Sequence, residues 1–259
     1  QIDYCKTRDL PHIYWTAEES YTRLQKDQTN QCILVTGDSG AGKTESTKHI
    51  LEHLTARSQC EIEDLVKKLN RVNPLIELFG NASTTLNNNS SRFVKLIELS
   101  YEGRILIGGA VRTFVVEKSR VVQHKRKEKN FHIFYAFFAG FDEQDLEKQY
   151  SLKTPSAYRI MVGDKSNRPN DTTRFWEKEE KQQYRERFSE GRKILREIAF
   201  EETEINKLSI LQYGEISGIL NILAACLHLS NINFEDSCDN TYGVKIVDGE
   251  DGDTSLQRG

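Results

Sequence analysis

Residues 37–44 read Gly37-Asp38-Ser39-Gly40-Ala41-Gly42-Lys43-Thr44, a full match to the pattern G-x-x-x-x-G-K-[ST]. Just upstream, Cys32-Ile33-Leu34-Val35-Thr36 is a short apolar run of the kind that forms a strand buried on both faces. Just downstream, residues 43–54 carry helical spacing, with Ile50, Leu51 and Leu54 on one side. A strand, a glycine-rich turn and a helix in that order predict a phosphate-binding loop. Its glycines let the backbone wrap tightly, so successive N–H groups face phosphate oxygens, and the helix N-terminus adds partial positive charge. Lys43 then reaches the β- and γ-phosphates. The Thr44 hydroxyl enters the shell of a Mg2+ ion whose other positions stay with water and phosphate. The plainer reading is a glycine-rich turn with a solvated lysine; the strand and helix on either side argue against it.

Working outward, residues 16–26 are predicted helical, with Ala17, Tyr21 and Leu24 at i, i+4 and i+7. Residues 61–69 are amphipathic through Ile62, Leu65, Val66 and Leu69, and a further short helix is expected to end at Gly80 with a left-handed cap. From Phe93 the period changes to two. It predicts a strand over 93–101, a turn at Glu102-Gly103-Arg104, a returning strand over 105–107 and a third strand over 111–117. The second half is predicted mainly helical, over residues 131–139, 175–198 and 209–229, and the acidic tail from Asp236 reads as a surface loop. The fold class is therefore α/β. A P-loop NTPase core with a mixed twisted β-sheet flanked by helices is expected over about residues 30–120, and a mainly helical annex over about 121–259.

Composition limits the function. The 259 residues carry 36 Lys+Arg against 39 Asp+Glu, a net charge of −3, which is not the basic footprint of a dedicated nucleic-acid binder. No apolar stretch nears the ~20 residues of a membrane span, and the start lacks the basic and apolar regions of a signal peptide. Five cysteines, odd in number and without a C-x-x-C pair, favour a reducing cytosolic compartment over a disulfide framework or a zinc site. His12, His49, His53, His132 and His228 are scattered without ligand spacing. The basic run His124-Lys125-Arg126-Lys127 and the charges of residues 177–187 read as solvated surface.

A second element, Asn87-Asn88-Asn89-Ser90-Ser91-Arg92, precedes the 93–101 strand. Alone it reads as a turn, because Asn and Ser side chains bond local backbone. After a phosphate loop, the same residue types suit a γ-phosphate sensor. Hydroxyls can ligate Mg2+ and relay a proton, amides can hold phosphate oxygens, and arginine can pair with a mobile carboxylate. With loop and hexad together, the chain resembles part of a myosin motor head. That family carries G-E-S-G-A-G-K-T as its phosphate loop and N-x-N-S-S-R-F-G-K as switch I. In the family's order stand Pro11-His12-Ile13-Tyr14, Asn73-Pro74, Phe79-Gly80-Asn81-Ala82 and Glu117-Lys118-Ser119-Arg120-Val121-Val122. Asn130-Phe131-His132-Ile133-Phe134-Tyr135 and Leu227-His228-Leu229 follow, so the resemblance covers about residues 11–235.

The resemblance implies an actin-based cytoskeletal motor that binds Mg-ATP and, in a complete head, hydrolyses it. Actin filaments, calmodulin-like light chains on a neck, and a place in the cytoplasmic actin cytoskeleton come with it. It implies that Gly37, Asp38, Ser39, Gly40, Ala41, Gly42, Lys43, Thr44 and Glu45 cradle the nucleotide, with Lys43 on phosphate. Thr44 and Ser91 would ligate Mg2+. Asn87 and Ser90 would lie against the γ-phosphate, Ser90 relaying the attacking water's proton, and Arg92 would pair with a glutamate of switch II. The strands over 93–117 would belong to the transducer, and the segment around Gln59 to a short loop 1.

Two residues depart from the family pattern. Asp38 replaces Glu, a mild change. Val94 replaces the Gly after Phe93, and a β-branched residue is stiff and avoids positive φ. Switch I closure is altered if that position is a hinge, whereas a residue that merely extends the strand has no such effect. The D-I-x-G-F-E motif of switch II has no counterpart, since Glu215-Ile216-Ser217-Gly218 opens a helix instead of ending a strand. The adenine-contacting N-P-x-x-x-L motif is also missing before Pro11, so the resemblance implies an excerpt of a head that hydrolyses ATP poorly by itself. Kinesin continues S-S-R-S-H where Phe93 stands here. A non-hydrolysing scaffold is disfavoured by the retained Lys43 and Thr44, and a small-molecule kinase by the lack of a lid and an acceptor site.

Overall fold

The computed structural model describes residues 12–60, 65–125, 127–162, 175–205, 213–236 and 244–247. The first half contains α1 (Ile13–Asp27), α2 (Lys43–Arg57), β1 (Gln59–Cys60), α3 (Leu65–Arg71), α4 (Asn73–Gly80), β2 (Asn81–Ala82), β3 (Ser90–Ser91), β4 (Val94–Glu102) and β5 (Ile105–Phe114). The second half contains α5 (Ser119–Val122), α6 (His132–Gly140), α7 (Glu143–Tyr150), α8 (Arg159–Val162), α9 (Lys178–Ile205), α10 (Tyr213–Leu229), β6 (Asn233–Asp236) and β7 (Val244–Val247). The chain groups into two compact units, Gln1–Asn73 with Phe93–Val115, and Pro74–Arg92 with Val116–Gly259. Among the described residues no helix is long and apolar enough to cross a membrane.

In the first unit α1 packs along α2. The His12 side chain caps α1 by accepting the Tyr14 N–H at 3.2 Å, and Ala17 and Tyr21 are buried on its inner face. Glu18 joins the two helices, 2.9 Å from Arg57 Nε and 3.1 Å from His53 Nε2. A three-stranded sheet runs in the order β1-β5-β4, with β1 parallel to β5 and β4 antiparallel to it. Leu65 and Leu69 of α3 bury Leu106 beneath them. Helix and sheet approach closely because Gly109 has no side chain: a Cβ there would lie 3.1 Å from Leu69 Cδ1.

Three expectations for this unit change. Residues 31–37 form no strand, and Leu34 is 84% exposed. An extended segment is held by a ladder of backbone hydrogen bonds to a neighbour. Among the described residues no strand pairs with this one, since β5 is flanked by β1 and β4. The separate strand expected over 111–117 is the continuation of β5. Gly108 and Gly109 stay paired to Ser100 and Leu99, and a bulge at Ile107 separates the Tyr101–Leu106 pair from the Ser100–Gly108 pair. Gln59–Cys60, expected within a loop, pair in parallel with Ile105–Leu106. Val94 opens β4 opposite Phe114, so its β-branched side chain sits where a strand favours one. β5 stops where Val115 takes φ 52, a backbone conformation a β-branched residue rarely adopts.

The second unit is built on α6, where residues 132–139 are all buried. A helix apolar all round must be covered on every side. Tyr184 and Phe188 of α9 and Leu220, Leu223, Ala224 and Leu227 of α10 join its core, while Lys178, Glu179, Arg185 and Glu186 keep the charged face of α9 in solvent, as expected. Asn130, fully buried, donates to the carbonyls of Val121 (3.2 Å) and Ile160 (3.0 Å) and accepts the Phe131 N–H at 2.8 Å. The left-handed cap expected at Gly80 is absent. The chain runs from α4 straight into β2, and the Gly80 carbonyl accepts the Arg92 N–H at 2.9 Å instead. The tail from Asp236, read as a surface loop, contains β7, which pairs antiparallel with β6 at the tail's start. Residues 61–64 and 209–212 of two predicted helices, and 237–243 and 248–259 of the tail, lie outside the described residues.

A Cβ added at Gly140 would lie 2.1 Å from Phe188 Cδ1, whereas one added at Gly218 meets nothing within 4 Å. Gly140→Ala is therefore expected to destabilise the protein by about 1–3 kcal/mol, read as a lower denaturation midpoint. Gly218→Ala, inside α10, should be neutral or stabilising.

Candidate nucleotide site

The loop before α2 takes the conformation its glycines allow. Gly37, Gly40 and Gly42 have φ of 150, 83 and 84°, values that L side chains rarely adopt. The Ala41 N–H donates to the Asp38 carbonyl at 3.2 Å, and the Ser46 N–H to the Gly42 carbonyl at 2.9 Å. No side chain caps α2, so the donors of its first turn keep no side-chain partner at Gly42. Lys43 arches back over the loop, its Nζ donating to the carbonyls of Gly37 and Asp38, each at 2.7 Å. A cation is thus held at the mouth of a ring of left-handed glycines. The side chain of Thr44 stands exposed on the first turn of α2. Glu45 takes Lys48 Nζ at 2.7 Å, and that hydrogen bond holds its carboxyl below the usual range.

The hexad folds as a tight turn leading into β3, as its Asn and Ser residues favour. The Asn87 carbonyl receives the Thr84 N–H at 2.9 Å, and Asn87 Oδ1 accepts the Asn89 N–H at 2.9 Å. Ser90 and Ser91 then pair with Ala82 and Asn81. Asn89 is the hub: its Oδ1 accepts from Asn81 Nδ2 at 3.1 Å and lies 3.1 Å from His132 Nε2, while its Nδ2 donates to Glu77 at 3.2 Å. An amide oxygen only accepts, so His132 carries its proton on Nε2 and turns Nδ1 to the Tyr184 hydroxyl, 3.4 Å away. Burial, with the positive charges of Arg187 and Lys129, pushes the His132 pKa down to about 3, so the ring is neutral. Burial likewise raises Tyr184 and Tyr135.

Ser90, expected to face phosphate, is 2% exposed, and its Oγ accepts from an Arg92 terminal nitrogen at 3.2 Å. Ser91 is exposed and Asn87 half-buried. Arg92 finds a carboxylate within this chain. Its Nε donates to Glu117 Oε2 at 2.6 Å, and the same oxygen accepts from Arg120 Nε at 2.8 Å. Arg120 also reaches Glu128 at 3.0 Å and the Lys129 carbonyl at 3.1 Å. Sequence reasoning missed Glu117 as a partner for Arg92. The i, i+3 spacing of Glu117 and Arg120 is a readable ion-pair signal, but the 25 residues separating Arg92 from Glu117 are bridged only by the fold. It also weighed His132 only as a metal ligand. The loop residues belong to the first unit and Asn87–Arg92 to the second.

Among the described residues no group of three or more His, Cys, Asp or Glu could hold a metal ion. The donors expected for Mg2+ are the hydroxyls of Thr44 and Ser91, and both residues are exposed. An uncapped helix start, left-handed glycines and a lysine already bound to loop carbonyls fit a phosphate chain.

The neutral His132 has a consequence for stability. Below pH 6.5 the unfolded chain takes up a proton there that the folded chain refuses, so stability present above pH 6.5 is lost as pH falls toward 3. The slope is about 1.4 kcal/mol per pH unit. Denaturant titrations at pH 7.5 and 5.5 should show a loss of about 1.4 kcal/mol that His132→Gln removes; equal losses in both proteins would count against it.

Residues 4–253 match the family model of the myosin head (motor domain). The myosin IA heavy chain of Dictyostelium discoideum is 42% identical over 160 residues, 61% of this chain and 16% of that protein. Myosin-IIIb of Mus musculus is 36% identical over 218 residues, 84% of this chain and 16% of that protein. Unconventional myosin-Ic of Gallus gallus is 35% identical over 229 residues, 86% of this chain and 20% of that protein. The chain therefore spans 16–20% of the length of these relatives. With nearly every residue inside the family match, from the glycine loop before α2 to the hexad that ends in Arg92, the chain belongs to the myosin head family.

Proposed function

We propose that this chain supplies the phosphate loop and switch I of an actin-based motor that binds Mg-ATP and, in a complete head, hydrolyses it. The observation that carries the reading is Lys43 Nζ resting on the Gly37 and Asp38 carbonyls at 2.7 Å. A lysine so held can exchange two neutral oxygens for the β- and γ-phosphate oxygens without leaving the loop. Residues of about 30–120 would serve as the P-loop NTPase core and transducer, and about 121–259 as a helical subdomain.

The side chains divide the work. The loop N–H groups from Gly37 to Glu45 and the start of α2 bind and orient the phosphates. Thr44 and Ser91 offer hydroxyl oxygens to Mg2+, which when bound neutralises charge on the transferring phosphate. Asn87 holds a γ-phosphate oxygen. Ser90 passes the attacking water's proton, which requires its hydroxyl to turn away from Arg92. Arg92 closes the site by taking a carboxylate from switch II. Actin filaments are the track, calmodulin-like light chains the neck partners, and the cytoplasmic actin cytoskeleton the setting.

Replacing the lysine tests the reading. In the complete head, Lys43→Ala should lower actin-activated kcat/KM for ATP by roughly 100-fold or more, since a charge clamp on the transferring group is lost. Unchanged turnover and unchanged binding of a fluorescent ATP analogue would overturn it.

A further inference from the structure

The Glu117-Lys118-Ser119-Arg120 segment has no assigned part in the mechanism above, yet its Glu117 side chain meets the hexad at Arg92 and its Arg120 stands behind Glu117. Arg92 and Glu117 are tied twice. The Glu117 N–H donates to the Arg92 carbonyl at 2.9 Å, and Arg92 Nε donates to Glu117 Oε2 at 2.6 Å. Behind Glu117 stands Arg120, 5% exposed and held on its far side by Glu128 and the Lys129 carbonyl. Two cations and two anions thus alternate from Arg92 inward, and the chain of charges is neutral as a whole. Its inner end cannot shift without stranding a buried guanidinium. Burial works against a charge on Glu117, but the hydrogen bonds from Arg92 and Arg120 outweigh it and hold the carboxyl below its usual range.

The outer end is different. Arg92 gives Nε to Glu117 and one terminal nitrogen to Ser90, and its other terminal nitrogen has no partner among the described residues. We propose that Glu117 is a positioning residue for Arg92. It fixes the guanidinium by Nε so that the terminal nitrogens face Ser90 and an incoming carboxylate. An arginine ordered in advance spares the closing step the cost of freezing a long side chain. The inference rests on reading residues 87–92 as the phosphate-sensing element, and it adds to that element a residue 25 positions away.

The test is a double-mutant cycle in the complete head, with affinity for a fluorescent ATP analogue and single-turnover hydrolysis as readouts. Glu117→Gln should bind the analogue within about threefold of the parent but slow the hydrolysis step roughly tenfold. In an Arg92→Ala background the same change should have no further effect, and Glu117→Asp should recover part of the rate. Hydrolysis at the parent rate in Glu117→Gln, or equal slowing with and without Arg92, overturns the proposal. Should Glu117→Gln not fold, Glu117→Asp in both backgrounds decides by the same criterion: slowing only where Arg92 is present supports it, and equal slowing removes it. Failure of the unmodified head to bind the analogue with Mg2+ would sink the nucleotide reading, and this inference with it. Intact binding without an Arg92-dependent effect of Glu117 removes the inference alone.

Discussion

A guanidinium shut away from water must be given acceptors, and Arg120 is the group that imposes this demand here. Glu117, Glu128 and the Lys129 carbonyl meet it, and in doing so they set the path of the chain on both sides of α5. Removing one acceptor leaves a buried charge exposed to the full cost of desolvation, which is why such chains tend to move as units. Arg92 and Glu117 are the partly exposed members of this set, with Arg120 and Glu128 deeper. The turn that carries it is further held by Asn89, which spends both amide ends on Asn81, His132 and Glu77. These two networks give residues 87–92 a rigid footing.

The glycine loop before α2 solves a different problem. Residues 37–42 and Thr44 are exposed, and the loop's shape comes from backbone conformations that only glycine takes without strain. Lys43 is half-buried, and two carbonyl oxygens hold its Nζ. Such bonds are modest once water is counted, so a phosphate group can displace them. The loop is preformed around a cation and still open to a ligand.

Much of this was legible in the residues because the determining interactions are local. The G-x-x-x-x-G-K-T spacing gives a turn and the helix after it, and the alternation from Phe93 gives β4 with its turn at Gly103. The inward-facing stripes give α1 and α3, and the apolar run over 131–139 gives α6. What escaped the reading depends on partners far away in the chain. Residues 32–36 look like a buried strand by composition, but burial requires neighbours that these residues lack among those described. The length of β5 is set by pairing that continues through Gly108 and Gly109, two residues whose own preference is to break strands. Gly80 was assigned a cap because helices often end that way, whereas here the Arg92 N–H and the start of β2 end it. Glu117 and His132 were invisible as parts of the site, since nothing in local spacing says that residue 117 returns to residue 92, or residue 132 to residue 89.

On the proposed function, Lys43 and Arg92 are charges parked on protein oxygens, one to be exchanged for phosphate and the other to remain in place. An experimental structure of the complete head with Mg2+ and a phosphate-analogue complex of ADP tests it most directly. Lys43 Nζ is expected to have moved from the Gly37 and Asp38 carbonyls onto the phosphate analogue, with Arg92 Nε still on Glu117. A nucleotide bound elsewhere while Lys43 keeps both carbonyls, or an Arg92 that has left Glu117 in the closed site, would contradict it.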